Sequence, residues 1–141
     1  MPIQTYSKRS IAQAQLESAL RLFQAGEDFI SVITLAGAAE EILGKLLTSQ
    51  SRSNSLDSLK QAVAAMHEHL FGEQLESSAV AERANRARNA LKHLRAGGDP
   101  VSLDLHEEAV DMLNRAIDNF WILDETFTPA MQTFVRAQRA A

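Results

Sequence analysis

Cysteine is missing from this chain, and proline and glycine are scarce. The 141 residues include no cysteine, three prolines and six glycines. Without cysteine the chain forms neither a disulfide nor a thiolate metal site, and such a composition is typical of a reducing compartment. Pro2, Pro100 and Pro129 lie at the edges of periodic segments, so none of them interrupts a helix. These absences favour an all-helical cytoplasmic protein.

Long apolar runs are also missing. The most apolar segment, residues 29–47, carries Glu40, Glu41 and Lys45, which indicates a buried helix and not a membrane span. No apolar run follows the basic pair Lys8-Arg9, so no signal peptide is expected. We therefore expect a protein that makes no contact with a membrane.

Positive charge is in the minority but is concentrated in one segment. The formal net charge is −4, which argues against indiscriminate binding of nucleic acid, because phosphate neutralisation drives such binding. Residues 83–95, which we call the basic strip, contain no acidic residue, and their ionisable residues are Arg83, Arg86, Arg88, Lys92, His93 and Arg95. A local basic strip on an acidic body suits a confined anionic substrate better than a long duplex.

Apolar periodicity and capping residues predict a single helical domain over residues 1–141, with its core between about residues 10 and 125. Hydrophobic residues make up 45% of the chain, which is enough for one core. No strand alternation is present. The predicted helices run over residues 10–26, 27–48, 55–72, 74–96 and about 104–125, and a short terminal helix occupies residues 128–141. The turn at residues 97–100 ends the fourth of these helices. The prediction is an all-α, antiparallel up-down bundle of about five helices with a short C-terminal helix.

Three of these helices carry apolar faces that are expected to lie in the core. The third helix has a stripe of five residues, which we call the Leu56–Leu70 stripe: Leu56, Leu59, Val63, Met66 and Leu70. The fourth helix has Val80, Ala84, Ala87, Leu91 and Leu94 on one face. The buried face of the fifth helix is predicted to contain Leu105, Ala109, Leu113, Ala116, Phe120 and Trp121.

The basic strip contains an arginine followed five positions later by a histidine. Arg88 to His93 read Arg-Asn-Ala-Leu-Lys-His, which combines a fixed cation with the one side chain that titrates near neutral pH. Cleavage of a phosphodiester without a metal needs both of these groups. This segment resembles the signature of the HEPN domains, in which an arginine, a favoured polar residue and a histidine follow at this spacing. The helix order and the small-residue, acid-bearing run at residues 36–47 are also similar to that family.

The resemblance implies a metal-independent endoribonuclease without a cofactor, of the kind found in toxin–antitoxin and defence systems. It implies that His93 is the general acid or base and that Arg88 holds the scissile phosphate. Asn89 would then orient His93 or the phosphate. It also implies a homodimer whose active site forms between two motif helices, and a small nucleotidyltransferase-like protein as a partner.

Helical geometry supports a site that two chains share. At about 100° per residue, Arg86, Asn89 and His93 lie together opposite the core face, whereas Arg88 is roughly 140° away from His93. A second chain packed across a dyad would bring one arginine near the other chain's histidine. Arg86 competes with Arg88 for the phosphate, because it shares a face with His93.

Glu40 is the fifth candidate residue, because it lies within the apolar stripe of the second helix. A carboxylate at such a position needs a charged or donating partner. We expect an arginine of the basic strip to be that partner, with Gly37 and Gly44 allowing a close helix approach. Glu40 would position the arginine for catalysis, or form an ion pair that only fixes the packing.

Two other interpretations of the basic strip stay open. In one, the chain is a HEPN-like module that dimerises or binds a partner without chemistry. In the other, it is a helical interaction protein outside the family, the Arg88–His93 spacing is a coincidence, and the basic residues form a solvated helix face.

Overall fold

The computed structural model of the chain describes residues 1–93 and 100–141. All regular secondary structure in these residues is helical, which confirms the predicted all-α fold class. The helices are α1 (Lys8–Gln24), α2 (Phe29–Ser49), α3 (Ser55–Phe71), α4 (Ser77–Ala84), α5 (Arg86–Lys92), α6 (Leu105–Asp124) and α7 (Pro129–Ala140). Leu94, Arg95 and the predicted turn from Gly97 lie outside the described residues.

Helix α2 is the centre of the core and packs against α1 and α6. Its sequence is apolar around most of its circumference, as expected for a helix with neighbours on several sides. Helix α7 closes one end of the core by burying Met131 and Phe134 against the other helices. Aliphatic and small side chains fill the centre: Leu16, Leu20, Ile33, Ala36, Leu43, Leu113, Ala116 and Ile117.

Short polar side chains begin most of the helices by accepting a hydrogen bond from a free backbone N–H. Asp28 caps α2 by accepting from the Ser31 N–H, and Thr128 caps α7 directly before a first-turn proline. Asn54 and Asp57 form a capping box at the start of α3. The predicted start of α1 at Ser10 is wrong, because the cap is Ser7 and the helix begins at Lys8.

The prediction of one continuous fourth helix is wrong. It is divided into α4 and α5 at Asn85, and α5 ends at Lys92. In an unbroken helix the Ala84 carbonyl would accept the N–H four residues later. Here that carbonyl accepts a hydrogen bond from the Arg115 guanidinium at 2.8 Å, so a side chain of α6 holds the interruption in place. Val80 and Ala87 are buried as predicted, and Leu91 is half-buried against the core.

The predicted burial of the Leu56–Leu70 stripe is wrong within the described chain. No residue of α3 is buried, and Met66 and Leu70 are 64% and 63% exposed. Helix α3 packs on α4 and reaches α6 near its own start, and Leu59 and Val63 of the stripe line an open groove. Trp121 is also misassigned, because it is 44% exposed and packs on Phe127.

None of the helices in the described part of the chain combines the length and the apolar character that a bilayer crossing requires.

Candidate functional site

Helix α5 carries the basic strip across the surface of α2, and Gly37 sets the distance between the two helices. The side chain of Arg88 lies directly over Gly37. A Cβ atom at that position would be 2.6 Å from Arg88 Cδ and 2.9 Å from Arg88 Cγ. The predicted close approach at Gly37 is therefore confirmed. At Gly44 the prediction is wrong, because the neighbours there are Asn54 and Asn119 and not the basic strip.

Glu40 is the buried carboxylate at the centre of this contact, with 4% of its surface exposed. Its Oε2 accepts a hydrogen bond from Arg88 Nη1 at 3.3 Å, and its Oε1 accepts one from Arg115 Nη2 at 2.8 Å. The expected partnership between Glu40 and an arginine of the basic strip is confirmed. One buried carboxylate thus holds two guanidinium groups that come from different helices.

Glu41 adds a second, more exposed carboxylate to the same cluster. Its Oε2 lies 3.8 Å from Arg88 Nη1, and its Oε1 accepts a 2.9 Å hydrogen bond from Lys45. The Lys45 hydrogen bond lowers the pKa of the Glu41 carboxyl below its ordinary value. Nε of Arg88 and Nε of Arg115 have no hydrogen-bond partner among the described residues. The cluster therefore holds more donors than its acceptors satisfy.

The remaining candidate residues lie on another side of α5. Arg86 is exposed and Asn89 is half-buried, and both line the groove in front of α3 and α6. His93 follows the last residue of α5 in extended conformation, and its side chain is exposed. Its backbone N–H donates to the Asn89 carbonyl at 2.9 Å, which ties the histidine to the helix end.

The structure thus separates the five candidates into two groups. Arg88 and Glu40 meet on the α2 side of the motif helix, whereas Arg86, Asn89 and His93 are accessible from solvent. The predicted angle between Arg88 and His93 assumed one continuous helix, whereas His93 follows the end of α5 in extended conformation. A single chain therefore offers one accessible arginine beside the groove and one arginine held by carboxylates.

No relative supplies a function for this arrangement. Comparison of the chain with protein-family models, with curated proteins and with solved structures gives no match.

Acidic side chains of α6 form the wall of the groove opposite Arg86. The groove has a volume of about 1640 Å³, and its α6 side includes the N-cap Asp104 and, within the helix, Glu107, Glu108, Asp111 and Asp118. Burial raises the pKa of the Glu108 carboxyl, and the nearby charge of Arg86 opposes that rise. No group of three or more histidine or acidic side chains suited to a metal ion occurs in residues 1–93 and 100–141. The groove therefore combines the cation of Arg86 with carboxylates on its α6 side.

Arg115 is the member of the cluster that the sequence reasoning missed. It is 8% exposed, and besides Glu40 it donates to the Ala84 carbonyl and to Asn85 Oδ1, both at 2.8 Å. Arg115 therefore fixes the end of α4 and the start of the motif helix. The sequence did contain a signal for Arg115. It follows Met112 by three positions and so lies on the apolar side of α6, as Glu40 lies within the apolar stripe of α2, and a charged residue on an apolar face requires a partner.

Proposed function

We propose that this chain is the subunit of a metal-independent endoribonuclease that acts as a homodimer. The observation that carries the proposal is the accessibility of His93 at the end of a basic helix that a buried ion cluster holds in place. An exposed imidazole beside fixed cations is the pair of groups that transphosphorylation of RNA requires. The resemblance to HEPN ribonucleases is the second line of support.

In this mechanism His93 removes the proton from a ribose 2′-hydroxyl. The 2′-oxygen attacks the adjacent phosphorus, the bond to the 5′-oxygen breaks, and that oxygen leaves with a proton from an acid. The products are a 2′,3′-cyclic phosphate and a free 5′-hydroxyl. His93 of the second chain is the proposed acid, because a dyad beside the motif helix brings the two histidines to one cleft.

Arg86 is the arginine that we propose for the phosphate. It is exposed and free of a carboxylate contact within hydrogen-bonding distance among the described residues, whereas Arg88 is shared between Glu40 and Glu41. A guanidinium already neutralised by carboxylates attracts a phosphate less strongly than an accessible one. Arg88 and Glu40 then act as positioning residues that hold α5 on α2.

The test is an assay on total RNA in the presence of EDTA, comparing wild type with His93→Ala. General acid–base catalysis contributes about 10²–10⁴-fold, so the variant should show no detectable cleavage. Arg139→Ala on α7 is the control, because it removes an exposed cation outside the basic strip and should cut like wild type. Equal cleavage by His93→Ala and wild type, or none by wild type, would refute the proposal.

A second candidate function is a non-catalytic module that binds another protein. It is favoured by the exposure of the Leu56–Leu70 stripe, because contiguous exposed apolar surface is typical of interaction sites. A small nucleotidyltransferase-like protein is the partner that the family resemblance implies. Wild type that binds such a protein in a purified mixture, but leaves RNA intact, would support this function over the first.

A further inference from the structure

The groove beside α3 has an apolar side and a large excess of carboxylates. The apolar side is formed by residues of α3, of α4 and of the loop between them: Leu59, Val63, Leu75 and Val80. Six carboxyl groups and three guanidinium groups also line the groove among the described residues: Glu82, Asp104, Glu107, Glu108, Asp111 and Asp118, with Arg83, Arg86 and Arg115. Arg115 is held by Glu40, so six carboxylates face two remaining cations. An occupant with apolar side chains and positive charge is therefore favoured over an anion.

The carboxylates of α6 have no counter-ion of their own. None of the ion pairs in the described part of the chain includes Glu107, Glu108 or Asp111. Burial raises the pKa of the Glu108 carboxyl, the charge of Arg86 opposes that rise, and the neighbouring Asp111, Glu107 and Asp104 add to it. These carboxylates repel one another, so cations bound beside them would relieve the repulsion.

The row of carboxylates has the length of a short helix. Asp104, Glu107, Asp111 and Asp118 follow one another at intervals of three, four and seven residues, about one or two turns of α6. At ~1.5 Å per residue, the row extends over roughly 21 Å. The groove has a volume of about 1640 Å³. A helix about 10 Å across and about 20 Å long fills roughly 1,600 Å³, so about four turns of helix fit beside the whole row.

The apolar side of the groove also suits a helix. Leu59 and Val63 lie four positions apart on α3, and side chains at this spacing form the ridges against which a second helix packs. Residues 1–93 and 100–141 contain no strand, so an extended peptide finds no sheet edge there to join.

A second copy of this chain does not supply such a helix. Among the helices of the described residues, only α5 and α7 lack an acidic residue. Helix α5 forms part of the groove itself, and α7 buries Met131 and Phe134 in its own core. Helix α3 carries Glu68, and its Lys60 lies beside Asp57. The occupant is therefore a helix of another protein.

We propose that the groove binds an amphipathic helix of another protein, with a row of lysine or arginine along the edge of its apolar face. The apolar face contacts Leu59 and Val63, and the row of cations pairs with the carboxylates of α6. Arg86 and Asn89 line the same groove, so the bound helix covers the arginine that we assign to the phosphate and inhibits cleavage. The inhibition rests on the proposed function, whereas the binding does not depend on it.

The first experiment titrates the full chain into a fluorescent peptide of about 14 residues, the length that spans ~20 Å as a helix. The peptide has leucine on one face, lysine along the edge of that face and alanine elsewhere. A second peptide has glutamate in place of lysine. By fluorescence anisotropy, wild type should bind the lysine peptide at least about 10-fold more tightly than the glutamate peptide. Added salt should weaken this binding, because it screens exposed charges.

Variants of α6 test the charged side of the groove. Glu107→Gln/Asp111→Asn should weaken binding of the lysine peptide by at least about 10-fold, because the row loses two charges. Both side chains are exposed, so the variant should keep its helical circular dichroism. Glu27→Gln/Glu125→Gln is the matched control. It removes two charges from exposed sites that do not line the groove, and it should bind like wild type.

Variants of α3 test the apolar side. Leu59→Ala should weaken binding of the lysine peptide by about 10-fold, because an apolar contact in the groove is lost. Leu70→Ala is the control on the same stripe, since Leu70 is 63% exposed and does not line the groove. Both variants should keep their helical circular dichroism.

The second experiment adds the lysine peptide to the RNA cleavage assay. At a saturating concentration it should lower cleavage by wild type by at least about 10-fold, because nine-tenths or more of the chain is then bound. Glu107→Gln/Asp111→Asn should keep cutting at the same peptide concentration. Equal inhibition of both proteins would mean that the peptide acts on the RNA and not on the groove.

Each outcome decides a stated part of the inference. Wild type that does not bind the lysine peptide, or that binds both peptides equally, overturns the docking site. Equal binding by the groove variants and their controls overturns it too. Binding without inhibition, or equal inhibition of wild type and variant, overturns the inhibition alone. If wild type cuts no RNA, the ribonuclease and its inhibition are refuted together, and the peptide titration still decides the docking site.

Discussion

The aliphatic part of Arg88 occupies the space above Gly37 that any other residue at that position would fill. The would-be Cβ of residue 37 comes within 2.6 Å of Arg88 Cδ. The same arginine reaches past the glycine to Glu40, one turn further along α2. The approach of α5 to α2 and the ion cluster beneath it therefore depend on one missing methyl group.

Gly37→Ala is expected to destabilise the fold by displacing Arg88. Overpacking of this kind costs about 1–3 kcal/mol, whereas alanine in a helix interior contributes about 1 kcal/mol over glycine. The free energy of unfolding in urea should therefore fall by up to about 2 kcal/mol. The control is the double variant Gly37→Ala/Arg88→Ala, in which no clash remains. If Gly37→Ala lowers the free energy of unfolding by the same amount in wild type and in the Arg88→Ala variant, the contact with Arg88 is not the cause of the destabilisation.

Removal of the Glu40 carboxylate should be among the most damaging single changes in the chain. Glu40→Ala leaves the charges of Arg88 and Arg115 buried with one carboxylate fewer, and breaking a buried pair costs about 3–5 kcal/mol. Glu41→Ala is the neighbouring control. Glu41 is 38% exposed, so its loss should cost less than about 1 kcal/mol. If thermal unfolding shows that Glu40→Ala and Glu41→Ala lower the free energy of unfolding by similar amounts, this account of the cluster is contradicted.

The two arginines of the motif should differ in what their loss affects. Arg86→Ala should change the free energy of unfolding by less than about 0.5 kcal/mol, because the side chain is exposed. It should lower RNA cleavage by about 10²–10³-fold, as loss of one transition-state donor does. Arg88→Ala should instead lower stability. A folded Arg88→Ala protein that cuts no RNA, beside an active Arg86→Ala, would assign the phosphate to Arg88.

The charge of Arg86 is also expected to affect the pH dependence of stability through Glu108. Burial raises the pKa of Glu108 above 4.5, so the folded chain binds this proton more tightly than the unfolded chain. The contribution of Glu108 to the free energy of unfolding is therefore fully present below pH 4.5. It is lost as the pH rises through the pKa that Glu108 has in the folded chain. Arg86→Ala removes the opposing charge, so the pKa of Glu108 should rise further. The decrease in unfolding free energy between pH 4.5 and neutral pH should then be larger than in wild type.

A carbon-detected NMR titration of the Glu108 carboxyl measures this shift directly. Arg83→Ala is the control, because Arg83 also lines the groove, and its removal should leave the Glu108 pKa close to that of wild type. An unchanged or lower Glu108 pKa in Arg86→Ala would contradict the prediction.

Local signals in the sequence predicted most helix ends and one half of the ion cluster. Asp28 and Thr128 begin helices because a short side-chain oxygen satisfies a nearby N–H, which requires no knowledge of the fold. Glu40 required a cation because it is a carboxylate on an apolar face, and the basic strip holds the densest run of arginines in the sequence.

The interruption at Asn85 was not predictable in the same way. Nothing local to Asn85 ends a helix, and the carbonyl at Ala84 accepts a donor that comes from α6. The predicted burial of the Leu56–Leu70 stripe is wrong for another reason. Apolar periodicity indicates that a face avoids water, but it does not specify whether the covering surface belongs to the same chain.

Because of the way in which α3 is attached, the residues on its surface are largely independent of the core. Its first residue is anchored, since the Ser55 N–H donates to Asn119 Oδ1 at 2.7 Å, but no side chain along its length is buried. Amide protons in its second half should therefore exchange through local opening, at a free energy below that of global unfolding. Selection can then alter the Leu56–Leu70 stripe, and with it the choice of partner, without loss of the helices that present His93.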